Sequence, residues 1–112
     1  MDIDYVSRKL RRQMTDAAEM QKTFGQRTKP LQLRLGVLKN ASTLGDVPAD
    51  PPIRRHQLSG ELAGHFAVVL KDNWRLVFHP DHDPVSRTED GGIDLQLVTA
   101  IMIDGVEDYH GK

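Results

Sequence analysis

The sequence predicts an α+β fold in which N-terminal helices pack on one face of an antiparallel-rich β-sheet. Three observations lead to this prediction. Apolar residues recur every three or four positions through residues 1–42, which is the period of an amphipathic helix. A connection rich in proline and glycine follows at residues 45–52. Beyond residue 53 the apolar residues come in short runs typical of strands, and helices followed by strands favour an α+β arrangement.

The length of 112 residues fits a single domain, 1–112, with a helical part at 1–42 and a sheet part at 53–110. The absence of cysteine excludes disulfides and thiolate metal sites. No apolar run approaches the ~18 residues of a membrane span, so no membrane association is expected. The acidic N-terminus lacks the apolar stretch of a signal peptide, and a cytoplasmic location is therefore expected.

The net charge of −1 is unevenly distributed, with +5 in residues 1–56 and −6 in residues 57–112. A nearly neutral total argues against bulk electrostatic adhesion to nucleic acid, although it is compatible with a local basic face. The cations of the first half have two interpretations. They could track phosphates, or they could be the solvated side of amphipathic helices.

Capping signals divide the first half of the chain. The apolar period from Val6 to Phe24 suits one long helix, but Asp16 followed by Glu19 is a capping-box pattern. That pattern favours two helices broken near Thr15.

A further helix is predicted from near Thr28 to near Ala41 or Ser42. Gly25 precedes it as a C-terminal stop for the helix before. Pro30 is tolerated because it falls in the first turn of the new helix.

The β-like runs predict four strands. Lys71-Asp72-Asn73 has turn chemistry, so the second and third strands are expected to pair as a hairpin. The last run is almost continuously apolar, which favours a central position in the sheet. Residues 80–92 are polar and are expected to form a long exposed loop. The predicted strands are 53–58, 66–71, 74–79 and 95–103.

Reactive side chains are concentrated in the run Glu107-Asp108-Tyr109-His110, directly after the last predicted strand. A second imidazole, His56, lies in the first predicted strand, where alternation puts it on the same face as Arg54. Arg75 and Lys71 belong to the predicted hairpin. Histidines, a tyrosine, an acid and several cations are the groups needed to cleave a phosphodiester bond without a metal ion.

Each of these residues also has a structural interpretation. A strand histidine such as His56 is more often structural than catalytic. Arg75 could pair with an acid across the sheet, and Lys71 could be a solvated turn residue. The terminal run could be frayed, although the ring of Tyr109 beside arginines would offer a stacking platform for a nucleobase.

The segment His79-Pro80-Asp81-His82-Asp83 contains metal-ligating residue types. Proline interrupts it and no further ligand spacing is evident, so a solvated loop is the favoured interpretation. There is also no glycine-rich phosphate loop and no serine or cysteine nucleophile motif. We therefore expect neither a metal nor an organic cofactor.

Three segments together resemble the HigB-like toxins of the RelE/ParE toxin superfamily. Residues 55–66, RHQLSGELAGHF, are similar to the stretch H-x-L-K-G-x-x-x-G-x-(aromatic) of that family. Residues 68–78, VVLKDNWRLVF, are similar to its strand–turn–strand ending in W-R-(I/L)-x-F. Asp108-Tyr109-His110 matches its C-terminal D-Y-H. The resemblance covers about half of the chain, 55–79 and 95–110.

The resemblance implies helices packed on a small, twisted, mostly antiparallel sheet. It implies a type II toxin, an endoribonuclease that cleaves mRNA on the ribosome without metal and so inhibits translation. It also implies a cognate helix-turn-helix antitoxin encoded beside the toxin. The complex with the antitoxin would be the form that binds operator DNA.

Residue roles follow from the same resemblance. His56 matches the catalytic strand histidine, and Lys71 and Arg75 match basic hairpin positions that hold the phosphate, to which neighbouring Arg54 adds a further cation. Asp108, Tyr109 and His110 match the C-terminal catalytic group, in which Tyr109 would stack on a base. The resemblance implies attack of a ribose 2′-hydroxyl on the adjacent phosphate, in which one imidazole takes the hydroxyl proton and an acid protonates the leaving 5′-oxygen. Which histidine is the base and which is the acid stays open.

The sequence departs from the family pattern in two respects, and a second functional hypothesis stays open. Ser59 stands where the family often has lysine, and the second half of the chain is acidic. The rival is a non-enzymatic inhibitor or binding module on the same fold, as in the gyrase-poisoning branch, or a member that only binds its antitoxin and DNA. The composite site requires His56 to share a sheet face with Arg75 and to lie near residues 108–110.

Overall fold

In a computed structural model, residues 1–108 of the protein form three α-helices and a five-stranded β-sheet, as the α+β prediction requires. Short 3₁₀ turns at Gly25–Arg27, Leu44–Asp46, Gly60–Leu62 and Leu95–Leu97 connect them. None of the helices in this part of the chain is long and apolar enough to cross a membrane. In chain order the elements are β1 (Asp2–Tyr5), α1 (Arg8–Thr15), α2 (Ala17–Phe24), α3 (Thr28–Asn40), β2 (His56–Gln57), β3 (Phe66–Val69), β4 (Trp74–Pro80) and β5 (Ala100–Asp108).

The predicted break near Thr15 is confirmed, and one residue produces it. Asp16 has extended backbone angles, φ −99° and ψ 121°, and ends α1. Its side chain accepts a hydrogen bond from the Glu19 N–H at 3.0 Å and thereby caps α2. Gly25, with φ of 53°, ends α2, and α3 begins at Thr28 as the sequence indicated.

The sheet has the strand order β1-β5-β4-β3-β2. Its β2/β3, β3/β4 and β4/β5 pairs are antiparallel, which confirms the mostly antiparallel prediction. The β1/β5 pair is parallel and makes the sheet mixed. The strand β1 was not predicted, because four residues of the sequence Asp-Ile-Asp-Tyr carry too little local signal.

All four predicted strands have different bounds in the structure, and the first and last of them differ most. The first is reduced to β2, because Arg54 adopts a φ of 53° that an extended strand does not allow. The predicted strand at 95–103 divides into a 3₁₀ turn at Leu95–Leu97 and the longer strand β5. Glu107 and Asp108 therefore belong to a paired strand.

The helices cover one face of the sheet and form the core with it. Buried helix residues meet buried residues of β3, β4 and β5 there. The members of this core include Met14, Met20, Phe24, Leu31, Leu38, Phe66, Val68, Leu76, Phe78, Ile101 and Ile103. We call the opposite side, which contains Ala67, Arg75, Val77 and His79, the distal face.

A β-bulge interrupts β5 opposite Val77 and Phe78. Val77 pairs with Gly105 and Phe78 pairs with Ile103, so Asp104 has no direct partner on β4. Gly105 adopts a φ of 150°, a conformation that residues with a side chain rarely adopt. Ile103 faces the core and Asp104 the distal side, and the extra residue lets Val106 face the core as well.

Candidate active site

The strand register brings two of the predicted site residues to the distal face. His56 lies opposite Ala67, and Ala67 lies opposite Val77, two residues along β4 from Arg75. Directly paired residues project to the same side of a sheet, so His56 and Arg75 share the distal face. Strand spacings put their Cα atoms about 12 Å apart, which suits contacts with neighbouring groups of one extended ligand.

A cavity of about 280 Å³ lies at the β2 side of this face, lined by Ala49, Arg54, Arg55, His56 and Val69. Val69 is the direct cross-strand neighbour of Arg75. The cavity therefore adjoins Arg75 and brings His56 beside two arginines.

The imidazole of His56 is held in one orientation. Its Nδ1 lies 2.7 Å from the carbonyl oxygen of Arg54. A carbonyl accepts only, so Nδ1 carries the proton and Nε2 is the lone-pair nitrogen of the neutral ring. Nε2 is therefore the ring nitrogen that could accept a proton from a ligand as a general base.

The two arginines before His56 differ in what they contact. The Arg55 Nε donates to the Val47 carbonyl at 2.9 Å, which ties Arg55 to the preceding loop. The side chain of Arg54 is exposed beside the cavity. Arg54 is thus the better placed of the two to bind an anion.

Arg75 pairs with Glu107 on the adjacent strand. The Arg75 Nε donates to Glu107 Oε1 at 2.9 Å, and Nη2 donates to the same oxygen. The side chains are 15% and 35% exposed, respectively, so the pair is partly shielded from water. Arg75 therefore pairs with an acid across the sheet, as its structural interpretation predicts. Its side chain nevertheless lies on the distal face.

The register separates Asp108 from Arg75, contrary to the grouping expected from the sequence. Asp108 lies opposite Trp74, so it belongs to the face that the helices cover. Glu107, one residue earlier, occupies the position beside Arg75. Tyr109 and His110 lie outside the described residues.

Lys71 lies in the β3–β4 turn. The Leu70 N–H donates to the Trp74 carbonyl at 2.9 Å and closes this turn. The turn is at the sheet end where Arg75 and Glu107 lie, and Lys71 is exposed there. The predicted phosphate-binding role of Lys71 stays a prediction.

Several helix cations have structural contacts. The guanidinium of Arg27 stacks on the Trp74 ring at 3.9 Å from the centroid. The Arg34 Nε donates to the Val69 carbonyl at 2.6 Å, and burial lowers the pKa of Arg34. Arg11 pairs with Asp4. These contacts favour the structural interpretation of the basic first half over a continuous phosphate-binding surface.

The structure brings together three side chains that the sequence did not group. His65, His79 and Asp104 meet on the distal face, with one potential ligand atom of each within 4.8 Å of the others. The sequence pattern had grouped His79 with His82, but His82 Nε2 accepts the Thr99 and Ala100 N–H groups at 3.1 and 3.3 Å. No local signal links His65 to Asp104, because a strand register and a bulge create the contact.

The fold has known counterparts among solved structures. A YoeB/ParE toxin from Agrobacterium tumefaciens matches with a TM-score of 0.56 at 13% identity, over 98% of this chain and 100% of the other. A point mutant of YafQ from E. coli matches with a TM-score of 0.57 at 14% identity, over 98% of this chain and 94% of the other. Neither a scan against protein-family profiles nor a search of curated protein sequences finds a match. At these identities the likeness establishes the fold: the chain folds like YoeB/ParE and YafQ toxins.

Proposed function

We propose that the protein is the toxin of a type II toxin–antitoxin pair and acts as a metal-independent endoribonuclease on mRNA. One observation carries the proposal: His56, Arg54 and Arg75 gather on the distal face of a fold shared with solved toxin structures. The HigB-like assignment rests on the sequence motifs alone. Action on ribosome-bound mRNA in the cytoplasm belongs to the same proposal.

In the proposed reaction, the Nε2 of His56 takes the proton from a ribose 2′-hydroxyl as it attacks the adjacent phosphate. Arg75, assisted by Arg54 and Lys71, stabilises the negative charge that grows on the phosphoryl oxygens. Each such role contributes on the order of a hundredfold or more to the rate.

The C-terminal motif completes the site in this proposal. His110 protonates the leaving 5′-oxygen, and Tyr109 stacks on the neighbouring base. Asp108 acts from the opposite sheet face, so its contribution is to position these residues rather than to contact the phosphate.

A helix-turn-helix antitoxin is the proposed partner that neutralises the toxin, and operator DNA would be bound only through that complex. The gene beside the one for this protein should encode such an antitoxin. Co-expression of that gene should restore growth and yield a stable complex of the two chains.

The test combines growth with RNA chemistry. Induced expression should stop growth and cleave transcripts within coding regions. With purified protein and an RNA oligonucleotide, His56→Ala and Arg75→Ala should each lower the single-turnover rate by about a hundredfold. Arg8→Ala, which removes an exposed arginine on the helix side, should leave the rate unchanged.

A non-enzymatic inhibitor is the second candidate. Two observations favour this candidate. Glu107 occupies the guanidinium of Arg75 that would bind the phosphate, and Ser59 replaces a lysine that the family often has. Growth arrest with intact transcripts, unaffected by His56→Ala, would decide for this candidate and against cleavage.

A further inference from the structure

We infer that His65, His79 and Asp104 form a binding site for a divalent transition-metal ion, with Zn²⁺ as the ion whose preferences they fit best. The three residues come from three neighbouring segments of the sheet. His65 directly precedes β3, His79 lies on β4, and Asp104 lies at the bulge of β5. This inference is independent of the proposed RNA chemistry.

The ligand atoms already lie close to the spacing of a zinc site. The His79 Nδ1 is 2.8 Å from Asp104 Oδ2, and the His65 Nε2 is 3.6 Å from the same oxygen. In a tetrahedral site with zinc–ligand bonds of about 2.0–2.2 Å, ligand atoms are about 3.3 Å apart. Small rotations of the three side chains would produce the required geometry, and the ion would displace the proton between His79 Nδ1 and Asp104.

The residue types also select the kind of ion. Two imidazole nitrogens and one carboxylate oxygen suit Zn²⁺, Co²⁺, Ni²⁺ or Cu²⁺ better than the all-oxygen preference of Mg²⁺ or Ca²⁺. Three protein ligands leave one position for water, as in zinc sites that exchange a ligand. The adjoining cavity of about 190 Å³, which both histidines line, has room for that water.

The local backbone structure orients two of the three ligands. The His65 Nδ1 lies 3.4 Å from the Ala63 carbonyl oxygen, and this contact leaves Nε2 directed toward Asp104. The bulge and the φ of Gly105 direct the Asp104 carboxylate onto the distal face. Both devices act through backbone geometry and therefore hold in the absence of an ion.

The three side chains are 28%, 34% and 26% exposed in the order His65, His79, Asp104, so an ion can reach them from solvent. Without an ion, the same groups would only share the carboxylate as a hydrogen-bond and ion-pair partner. A bound ion would join β3, β4 and β5, which raises the free energy of unfolding in proportion to the logarithm of ion concentration.

The direct test is a titration of the untagged protein with ZnCl₂, measured by isothermal titration calorimetry. We expect one ion per chain. Saturation at about 100 times the Kd should raise the Tm by at least about 5 °C. Replacement of Zn²⁺ by Co²⁺ should give the intense visible absorption of a four-coordinate ion.

Substitutions of single residues test which side chains bind the zinc ion. His65→Gln, His79→Gln and Asp104→Asn should each weaken zinc binding by about tenfold or more. His56→Gln and His110→Gln should bind zinc as the unmodified chain does. Circular dichroism without metal checks that every variant is folded.

Two outcomes would overturn the inference. The first is an unmodified chain that binds no zinc and shows no metal-dependent Tm, which decides the question without any variant. The second is zinc binding that survives His79→Gln but is lost in His110→Gln or His56→Gln, because the ion then lies elsewhere.

Discussion

At the scale of single residues, Arg75 already has an anionic partner within the protein. The Glu107 carboxylate accepts two hydrogen bonds from it, and a phosphoryl oxygen would bind the same donors. RNA binding through Arg75 therefore requires the phosphate to replace the carboxylate or to share the guanidinium with it. In the proposed RNA-binding role of Arg75, Glu107 would therefore compete with the phosphate, which the sequence pattern did not indicate.

This competition predicts a gain of function. Glu107→Gln should lower the Kd for a non-cleavable RNA oligonucleotide by about three- to tenfold, because the substrate no longer displaces a carboxylate. Arg75→Ala should raise the Kd. Fluorescence anisotropy at two salt concentrations measures both effects, and the salt dependence should steepen in Glu107→Gln.

The matched control is Glu19→Gln, which makes the same change in net charge on the helix side. Equal effects of Glu19→Gln and Glu107→Gln would mean that only net charge matters, and the idea of local competition would then be abandoned.

At the scale of secondary-structure elements, the bulge in β5 determines which side chains reach each face. Ile103 and Val106 both face the helices although two residues separate them, and Asp104 faces the distal side as a consequence. Gly105 permits this by its φ of 150°. A β-carbon there would meet no atom within 4 Å, so the cost of substitution is backbone strain rather than collision.

Gly105→Ala should therefore destabilise the protein by about 1–3 kcal/mol. Gly36→Ala is the matched control, because its β-carbon also meets nothing within 4 Å but its backbone is helical. That change should stabilise by about 0.5–1 kcal/mol. Urea unfolding measures both, and equal effects of the two substitutions would argue against strain at Gly105.

The helices were predictable from the sequence because their signals are local. Asp16 caps α2 with its own side chain, and the break near Thr15 follows from four adjacent residues. The short strands β1 and β2 and the bulge at Asp104 depend on partners far along the chain. The same limit applies to the candidate site. Motifs alone pointed to His56 and Arg75, whereas the contact of Glu107 with Arg75 and the His65–His79–Asp104 cluster follow only from the strand register.

At the scale of the whole molecule, one core joins the helices to the central strands. Ile101 of β5 is completely buried, and Leu31 and Leu38 of α3 belong to the same cluster. Ile101→Ala should lower the free energy of unfolding by about 2–5 kcal/mol, since it leaves a cavity in this core.

Leu33→Ala is the control for that prediction. Leu33 lies on the same helix as Leu31 but is 56% exposed, so its truncation should change the free energy of unfolding by less than about 0.5 kcal/mol. Chemical denaturation followed by circular dichroism compares the two. Similar losses in both variants would contradict a core centred on β5.

The parallel pairing of β1 with β5 has a consequence for the time at which the native protein appears during synthesis. Strand β5 separates β1 from β4, so the sheet is incomplete until residues 100–108 have emerged from the ribosome. The helices and the β3–β4 hairpin involve neighbouring residues and can form earlier, whereas contacts across the full chain form last. Glu107 belongs to β5, so the Arg75–Glu107 ion pair forms only when β5 pairs with β4. If the protein inhibits translation, the complete distal face exists only after residues 100–108 have left the ribosome that makes it.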